Sequence, residues 1–395
     1  MFCDAADPID AAVIGVLGVL SIDAHRVLRR QIRDSWLHSA ASQLPARFVM
    51  RGIGAAKATL AEARSKRDIV FVNARADLGR SAGPLTSLML WWSCALRVWP
   101  RAELIGKADD DVFVVLPSVA DHLRGASLGL SESVRSHSEH PPLLLWGFLE
   151  AYHWDDARHL PAGFSREPFV SRQGSRNLLG PSACERRSSG LCGYELCNRS
   201  AQGAARALHG PFSFPKGPLY FVSAQLVSQL NRSAWHRASA DATLRSAAAT
   251  SRTKQGGMLP WEDVFTGYSL ARVAQGSPRQ RLAAVHIGPE LYADGWGFRM
   301  RASTLIWHMR TPRPARIGAA HRWASRHHCN PVSVRAPAMN CDHSYEVNGK
   351  SYHAGHRYHS CSGAEWRWCK TDPRVYNASG CDSTRWVDLK RWVEK

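Results

Sequence analysis

The 395-residue chain is expected to fold as an α/β protein, on three observations. From residue 13 to residue 114, short apolar runs alternate with amphipathic stretches, the pattern of parallel strands joined by crossover helices. A composition of 45% hydrophobic and 21% charged residues supplies a large core and excludes a wholly disordered chain. Acidic residues gather where an apolar strand ends, and ligands of such sheets bind at the carboxyl ends of the strands.

The elements follow in order. Val13–Leu20 is a buried strand. From Asp23 to about Ala41 the spacing predicts a helix: Val27, Leu28, Ile32 and Trp36 recur at three- and four-residue steps, with Arg26, Arg29, Arg30 and Arg33 opposite. Arg47–Met50 and Ile69–Val72 are short strands with a helix near Ala55–Ser65 between them. Pro84 opens a helix carrying Leu88, Leu90, Trp91 and Leu96, which stops before Pro100. Glu103–Gly106 is a strand that runs into acid. Residues 125–215 show poor periodicity and are expected to be irregular. Order returns with a strand at Leu219–Val222, helices at Gln225–Leu230 and Glu262–Val273, and strands at Ala283–Ile287 and Thr304–Trp307.

Composition shifts beyond Pro312 and Pro314. A boundary is therefore expected near 318–319, dividing a main domain (1–318) from a Cys-, Trp- and His-rich module (319–395). Within the main domain, one half would span about 12–125 and the other about 140–315.

The formal charge is +18, which favours anionic partners. The cations are scattered, however, and no zinc-finger or RNA-recognition signature accompanies them, so a nucleic-acid binder is disfavoured. The longest apolar run, Ala11–Leu20, is ten residues, against the roughly 20 needed to span a bilayer. It also lacks the basic flank and cleavage site of a signal peptide, so no membrane anchor is visible. The ten cysteines are clustered, with Cys184, Cys192 and Cys197 in one stretch and Cys329, Cys341, Cys361, Cys369 and Cys381 near the end. Such clusters mean disulfides in an oxidising compartment or metal sites. Sequons at Asn198, Asn231 and Asn377 lean towards the secretory route.

Three constellations bear chemistry. Lys107-Ala108-Asp109-Asp110-Asp111 leads into Val112-Phe113-Val114, and three successive carboxylates beside a core repel one another unless something neutralises them. A divalent cation does so and leaves room for a diphosphate; a helix N-cap cluster or a solvated turn is the plainer alternative. Pro260-Trp261-Glu262-Asp263 starts a helix whose dipole favours acid, and Asp263 there is either that or a rigidly held general base. His308, ending an apolar strand, is a nitrogen ligand for a metal or a hydrogen-bonded core histidine. Other motifs fail. Gly52-Ile53-Gly54-Ala55-Ala56-Lys57 has Lys57 where a dinucleotide fingerprint needs glycine, and Glu167 replaces the closing glycine of a nucleophile elbow at Gly163-Phe164-Ser165. Neither a phosphate-binding G-x-x-x-x-G-K-[ST] loop nor H-E-x-x-H is present.

Together and in order, four stretches resemble the inverting β1,3-galactosyltransferase and β1,3-N-acetylglucosaminyltransferase family. Arg26–Trp36 resembles R-R-x-x-I-R-x-[ST]-W. Leu88–Val114 resembles a tryptophan-bearing helix followed by K-x-D-D-D-x-F-V. Gly217–Ser223 is similar to G-x-G-Y-V-L-S, with Leu219 in place of the second glycine, and Pro260–Gly267 matches E-D-V-[YF]-x-G. The resemblance covers about residues 12–315 and implies a GT-A fold. It implies UDP-galactose or UDP-N-acetylglucosamine as donor, a glycan or glycoprotein as acceptor, and the Golgi or another secretory lumen. It further implies manganese held by Asp111, Asp109 and His308, Asp110 at the donor ribose or sugar, and Asp263 as catalytic base. Lys107, Arg29 and Arg33 would be nucleotide-side residues. The alternative is a catalytically silent glycan-binding protein on the same scaffold, disfavoured by the joint presence of the triplet, Asp263 and His308.

Residues 319–395 fall outside this resemblance, and a small disulfide-stapled module is expected. Zinc at His343, His353, His356 and His359, or sugar stacking by Trp366, Trp368, Trp386 and Trp392, are the other possibilities for that segment.

Overall fold

The computed structural model describes Cys3, residues 13–135 apart from 42 and 81, 143–155, 159–165, 208–252, 262–275, 282–287, 291–294, 299–301, 303–309 and 314–328, and short strands between 339 and 388. Cys184, Cys192, Cys197, Cys329, Cys341, Cys361 and Cys381, with sequons Asn198 and Asn377, lie outside the described residues, as do His343, His356, Trp386 and Trp392. His353, His359, Trp366, Trp368 and Cys369 fall in short strands whose side chains are likewise outside the description.

The N-terminal part alternates as its sequence dictates. Strand β1 (Gly15–Leu20) leads through a 3-10 turn (Asp23–His25) into helix α1 (Arg26–Arg33). Then come β2 (Ala46–Ile53), α2 (Lys57–Lys66), β3 (Ile69–Arg75), α3 (Gly83–Val98) and β4 (Leu104–Asp109). The four strands are parallel in the order β3-β2-β1-β4. The sheet continues antiparallel through β8 (Leu208–Ser223) to β6 (Leu143–Asp155), which also pairs with β7 (Leu160–Ser165), and then parallel to β9 (Leu282–His286). Residues 143–155 and 208–218 are thus strand where irregular chain was expected. Leu143–Leu149 is apolar on both faces because the sheet is covered on both, so it carries no alternation to read.

One core layer lies on each face. Leu17, Phe48, Ala108 and Phe221 belong to one, with Leu28, Ile32 and Trp36 of α1. Val16, Val49, Ile105 and Tyr220 belong to the other, with Trp91 and Trp92 of α3 and Val264 and Phe265 of helix α7 (Glu262–Gln275). Between β8 and α7 run helices α5 (Ala224–Arg232) and α6 (Ala234–Arg252). A disulfide joins Cys3 to Cys94 of α3. Helix α4 (Leu116–Arg135) follows β5 (Val112–Val114), which leaves the main sheet to pair antiparallel with β12 (Ile306–His308); β12 in turn pairs with β10 (Tyr292–Asp294).

One expectation changes. Helix α1 ends at Arg33 and residues 34–41 continue as turns, with Val27 59% exposed. The Ser35 hydroxyl donates to the Gln31 carbonyl at 2.6 Å, offering the backbone an alternative to the helical ladder. Near the boundary expected at 318–319, Pro314–His327 is one continuous helix, α8, packed on α1 and β5. Beyond it, β17 (Glu365–Thr371) pairs with β9 and with β13 (Met339–Asn340), and β18 (Val387–Asp388) pairs with β11 (Arg299–Met300). The strands β14 (Ser344–Val347) and β15 (Lys350–His353) form a hairpin, and β16 (Tyr358–His359) pairs with β17.

Glycines in β1 and β4 make room for aromatic rings. A Cβ at Gly18 would overlap the Trp91 ring, whose indole N–H donates to the Gly106 carbonyl at 2.9 Å. Gly18→Ala is therefore expected to lower stability by about 1–3 kcal/mol, read as a shift of the denaturant midpoint at unchanged slope. An unshifted midpoint would remove the close-contact role.

Candidate active site

Strand β4 ends in the acids, and its alternation sends Lys107 and Asp109 to the α7 face while Ala108 enters the opposite core. Lys107, 1% exposed, donates from Nζ to the Gly217 carbonyl of β8 at 2.7 Å. Its ammonium also lies 2.7 Å from Asp109 Oδ1 and 3.2 Å from Glu262 Oε2. Burial works against the charge, but Asp109 and Glu262 more than offset it and hold the lysine above its ordinary pKa. Glu262 also accepts from the Tyr220 hydroxyl at 3.0 Å, and burial pushes its carboxyl up to about 7 against the pull of Lys107. Lys107, assigned to the nucleotide from sequence, thus ties β4 to β8 and α7.

Asp263 stands next to this knot. Its Oδ2 accepts the Gly217 N–H at 3.2 Å and its Oδ1 its neighbour Val264 N–H at 2.8 Å. Burial raises its carboxyl to about 6, opposed by Lys107 and these two amides. A Cβ at Gly217 would meet Asp109 Oδ2 at 3.4 Å, Asp263 Oδ2 at 3.5 Å and Lys107 Nζ at 3.5 Å. Residues 154 positions apart in the chain therefore flank one glycine, which has no side chain to come between them.

The other acids turn elsewhere. Register places His308 opposite Val112, and the Met309 N–H donates to the Asp111 carbonyl at 3.0 Å. His308 Nε2 comes within 3.7 Å of Asp111 Oδ2. Asp110 pairs with His25: Nδ1 lies 2.9 Å and 3.1 Å from its two oxygens. Among the described residues no group of three or more His, Cys, Asp or Glu is gathered as a metal site. Asp109, expected as a metal ligand, lies against Lys107.

Arg29 and Arg33, expected at the nucleotide, are buried in ion pairs. Arg29 is 0% exposed and donates bidentately to Glu62 of α2 at 3.1 and 2.7 Å, and to Ser21 Oγ and the Ile22 carbonyl at 3.1 and 2.6 Å. Arg33 donates to Glu62 at 2.6 Å and to Asp68 at 2.6 and 2.8 Å. Helix α2 thus covers this face of α1 with an acid. Sequence reasoning missed Glu262, His25 and the backbone of Gly217 as site residues. Adjacency to Asp263 was the one signal for Glu262; His25 had none.

Lys107→Met would leave Asp109 and Glu262 buried without their cation. It is expected to destabilise the fold by about 3–5 kcal/mol, measured by denaturant unfolding; a loss below about 1 kcal/mol would show the ammonium to be dispensable.

The galactosyltransferase family model matches residues 28–136. No curated protein matches the chain. Among solved structures the chain is similar to the galactosyltransferase LgtC in complex with donor and acceptor sugar analogs, at 11% identity, covering 79% of this chain and 93% of that one with a TM-score of 0.36. It is also similar to mouse xyloside xylosyltransferase 1, at 10% identity, covering 75% and 97% with a TM-score of 0.30. Residues 28–136, which hold α1, the tryptophan-bearing helix and the acid triplet, match the galactosyltransferase family, the resemblance that the motifs carry.

Proposed function

We propose that the chain is a metal-dependent inverting hexosyltransferase on a GT-A scaffold. It moves galactose or N-acetylglucosamine from a UDP-sugar to a glycan or glycoprotein hydroxyl in β1,3 linkage. The observation that carries the reading is the approach of Asp263 and Asp109 to the two sides of Gly217, which brings a candidate base beside the acid triplet. The family match over 28–136 supports the donor-side half.

In the reaction, the acceptor hydroxyl gives its proton to Asp263 as its oxygen bonds to C1 of the donor sugar. The bond from C1 to the diphosphate oxygen breaks, and its electron pair leaves with UDP. Attack from the opposite face turns an α-linked donor into a β-glycoside. General-base assistance is worth roughly two to four orders of magnitude. Asp263 suits the role better than Glu262, whose oxygens are engaged by Lys107 and Tyr220. A carboxyl raised to about 6 is a better base than an ordinary aspartate and is still mainly ionised at neutral pH.

Asp111 and His308 fit a divalent cation such as manganese, offering one oxygen and one imidazole nitrogen 3.7 Å apart. When bound, the cation neutralises charge developing on the leaving diphosphate. The secretory lumen suits the reading, since the Cys3–Cys94 disulfide belongs in oxidising surroundings. Among the described residues no helix is long and apolar enough to cross a membrane.

Two variants separate the roles. With manganese and a panel of UDP-sugars and acceptors, Asp263→Asn is expected to lose transfer by at least about a hundredfold while binding UDP as before. Asp111→Ala is expected to lose the manganese-dependent part of UDP binding in calorimetry. Full transfer by the first, or unchanged metal-dependent affinity in the second, overturns the corresponding role.

The pH profile has a definite sign. Because the Asp263 pKa is raised to about 6, the base takes up its proton as pH falls through that value. kcat/KM is expected to decline below pH of about 6, tenfold per unit, where an ordinary aspartate would hold activity to about 4. A flat profile between pH 7 and 5 would exclude Asp263 as the base.

A further inference from the structure

The pair formed by His25 and Asp110 has no part in the chemistry above, yet it sits where that chemistry takes place. His25 belongs to the 3-10 turn that follows β1, and Asp110 follows β4, so both stand at the carboxyl ends of adjacent parallel strands. The imidazole reaches both carboxylate oxygens through Nδ1. Asp110 is 10% exposed at its side chain, whereas His25 is 31% exposed. The ring is therefore fixed on one edge and accessible on another.

The turn itself is held at three points by two partners. Arg29 donates to the Ile22 carbonyl at 2.6 Å and to Ser21 Oγ at 3.1 Å, and Asp23 Oδ2 accepts the Ala56 N–H ahead of α2 at 3.1 Å. Arg29 is in turn locked by Glu62. A side chain meant only to cover acid has no need of a backbone pinned so firmly, whereas a group that must meet a ligand at fixed geometry does.

We propose that His25 is a positioning residue for the donor nucleotide. Its Nδ1–H holds the Asp110 carboxylate apart from Asp109 and Asp111, keeps that acid directed at the nucleoside diphosphate rather than at the cation, and turns the opposite ring edge towards the same ligand. The inference deepens the glycosyl-transfer reading and rests on it. It also gives Arg29 a part in donor binding at one remove, through the turn it buttresses.

The test uses the full chain with UDP as probe, by calorimetry with and without manganese, and steady-state kinetics with the UDP-sugar that the wild type transfers. His25→Ala is expected to weaken UDP binding and raise the donor KM about tenfold, the loss of one hydrogen bond to a charged group. The acceptor KM should stay within error. His25→Asn, whose side-chain N–H can stand where Nδ1–H stood, should restore most of the affinity. UDP affinity unchanged in His25→Ala, or His25→Asn as weak as His25→Ala, overturns the role of His25 and leaves the transferase reading intact. A wild type that binds no UDP overturns both.

Discussion

A single buried ammonium organises the site. Lys107 brings together the last turn of a parallel strand, the backbone of an antiparallel one and the first turn of a helix, each from a different part of the chain. Taking a lysine out of water is expensive, and a partner acid must be close and well aligned to offset it. Here two carboxylates and a carbonyl surround the charge, so the ion cluster fixes geometry more than it adds stability. The Gly217 peptide follows from it: its carbonyl is claimed by Lys107 and its N–H is presented to Asp263. Glycine there leaves the space between three charged groups unfilled, since a Cβ would lie in ordinary contact with each of them.

The same cluster separates two neighbouring acids into different roles. Glu262 and Asp263 share the first turn of one helix, where the dipole favours negative charge on both. Glu262 points into the knot and closes it with Lys107 and Tyr220. Asp263 is left at its margin, held by amides rather than by a cation in direct contact. Burial lifts the Asp263 carboxyl to about 6, and the Lys107 charge and the two amides only partly oppose it.

The sequence made the parallel half of the fold readable because alternation of strand and helix is a local pattern. β1 to β4 and α2 to α3 appear where periodicity puts them, within a few residues. The strand at 143–155 was hidden because burial on both faces erases alternation. Within the site, Asp109, Asp111, Asp263 and His308 were legible as chemistry-bearing types at strand or helix ends; Asp109 and Asp263 flank Gly217, and Asp111 lies beside His308. What one sequence does not carry is who pairs with whom. Arg29, Arg33 and Lys107 are cations near a proposed anion, so all three were taken as ligands for it. In the structure Asp109 contacts Lys107 from two positions away, and Glu62, Asp68 and Glu262 reach these cations across 29 to 155 positions of chain. His25 was overlooked for the converse reason, since its partner lies 85 residues away.

The two ion networks differ in what they hold. Arg29, locked by Glu62, buttresses the turn that follows β1, and Lys107, Asp109 and Glu262 gather at Gly217 of β8. Each fixes a short stretch of backbone at the carboxyl edge of the sheet, from opposite sides of β1 and β4. A hydrophobic replacement of either network would keep the fold and give up this orientation, because apolar contacts are adaptable where charged hydrogen bonds are directional. Many of the positive charges behind a formal +18 are exposed, but at these two places cations serve as anchors for the acids rather than as bait for a polyanion. That use of charge explains how a strongly basic chain can keep acids clustered at the carboxyl edge of its sheet: they are held in place by the protein's own cations.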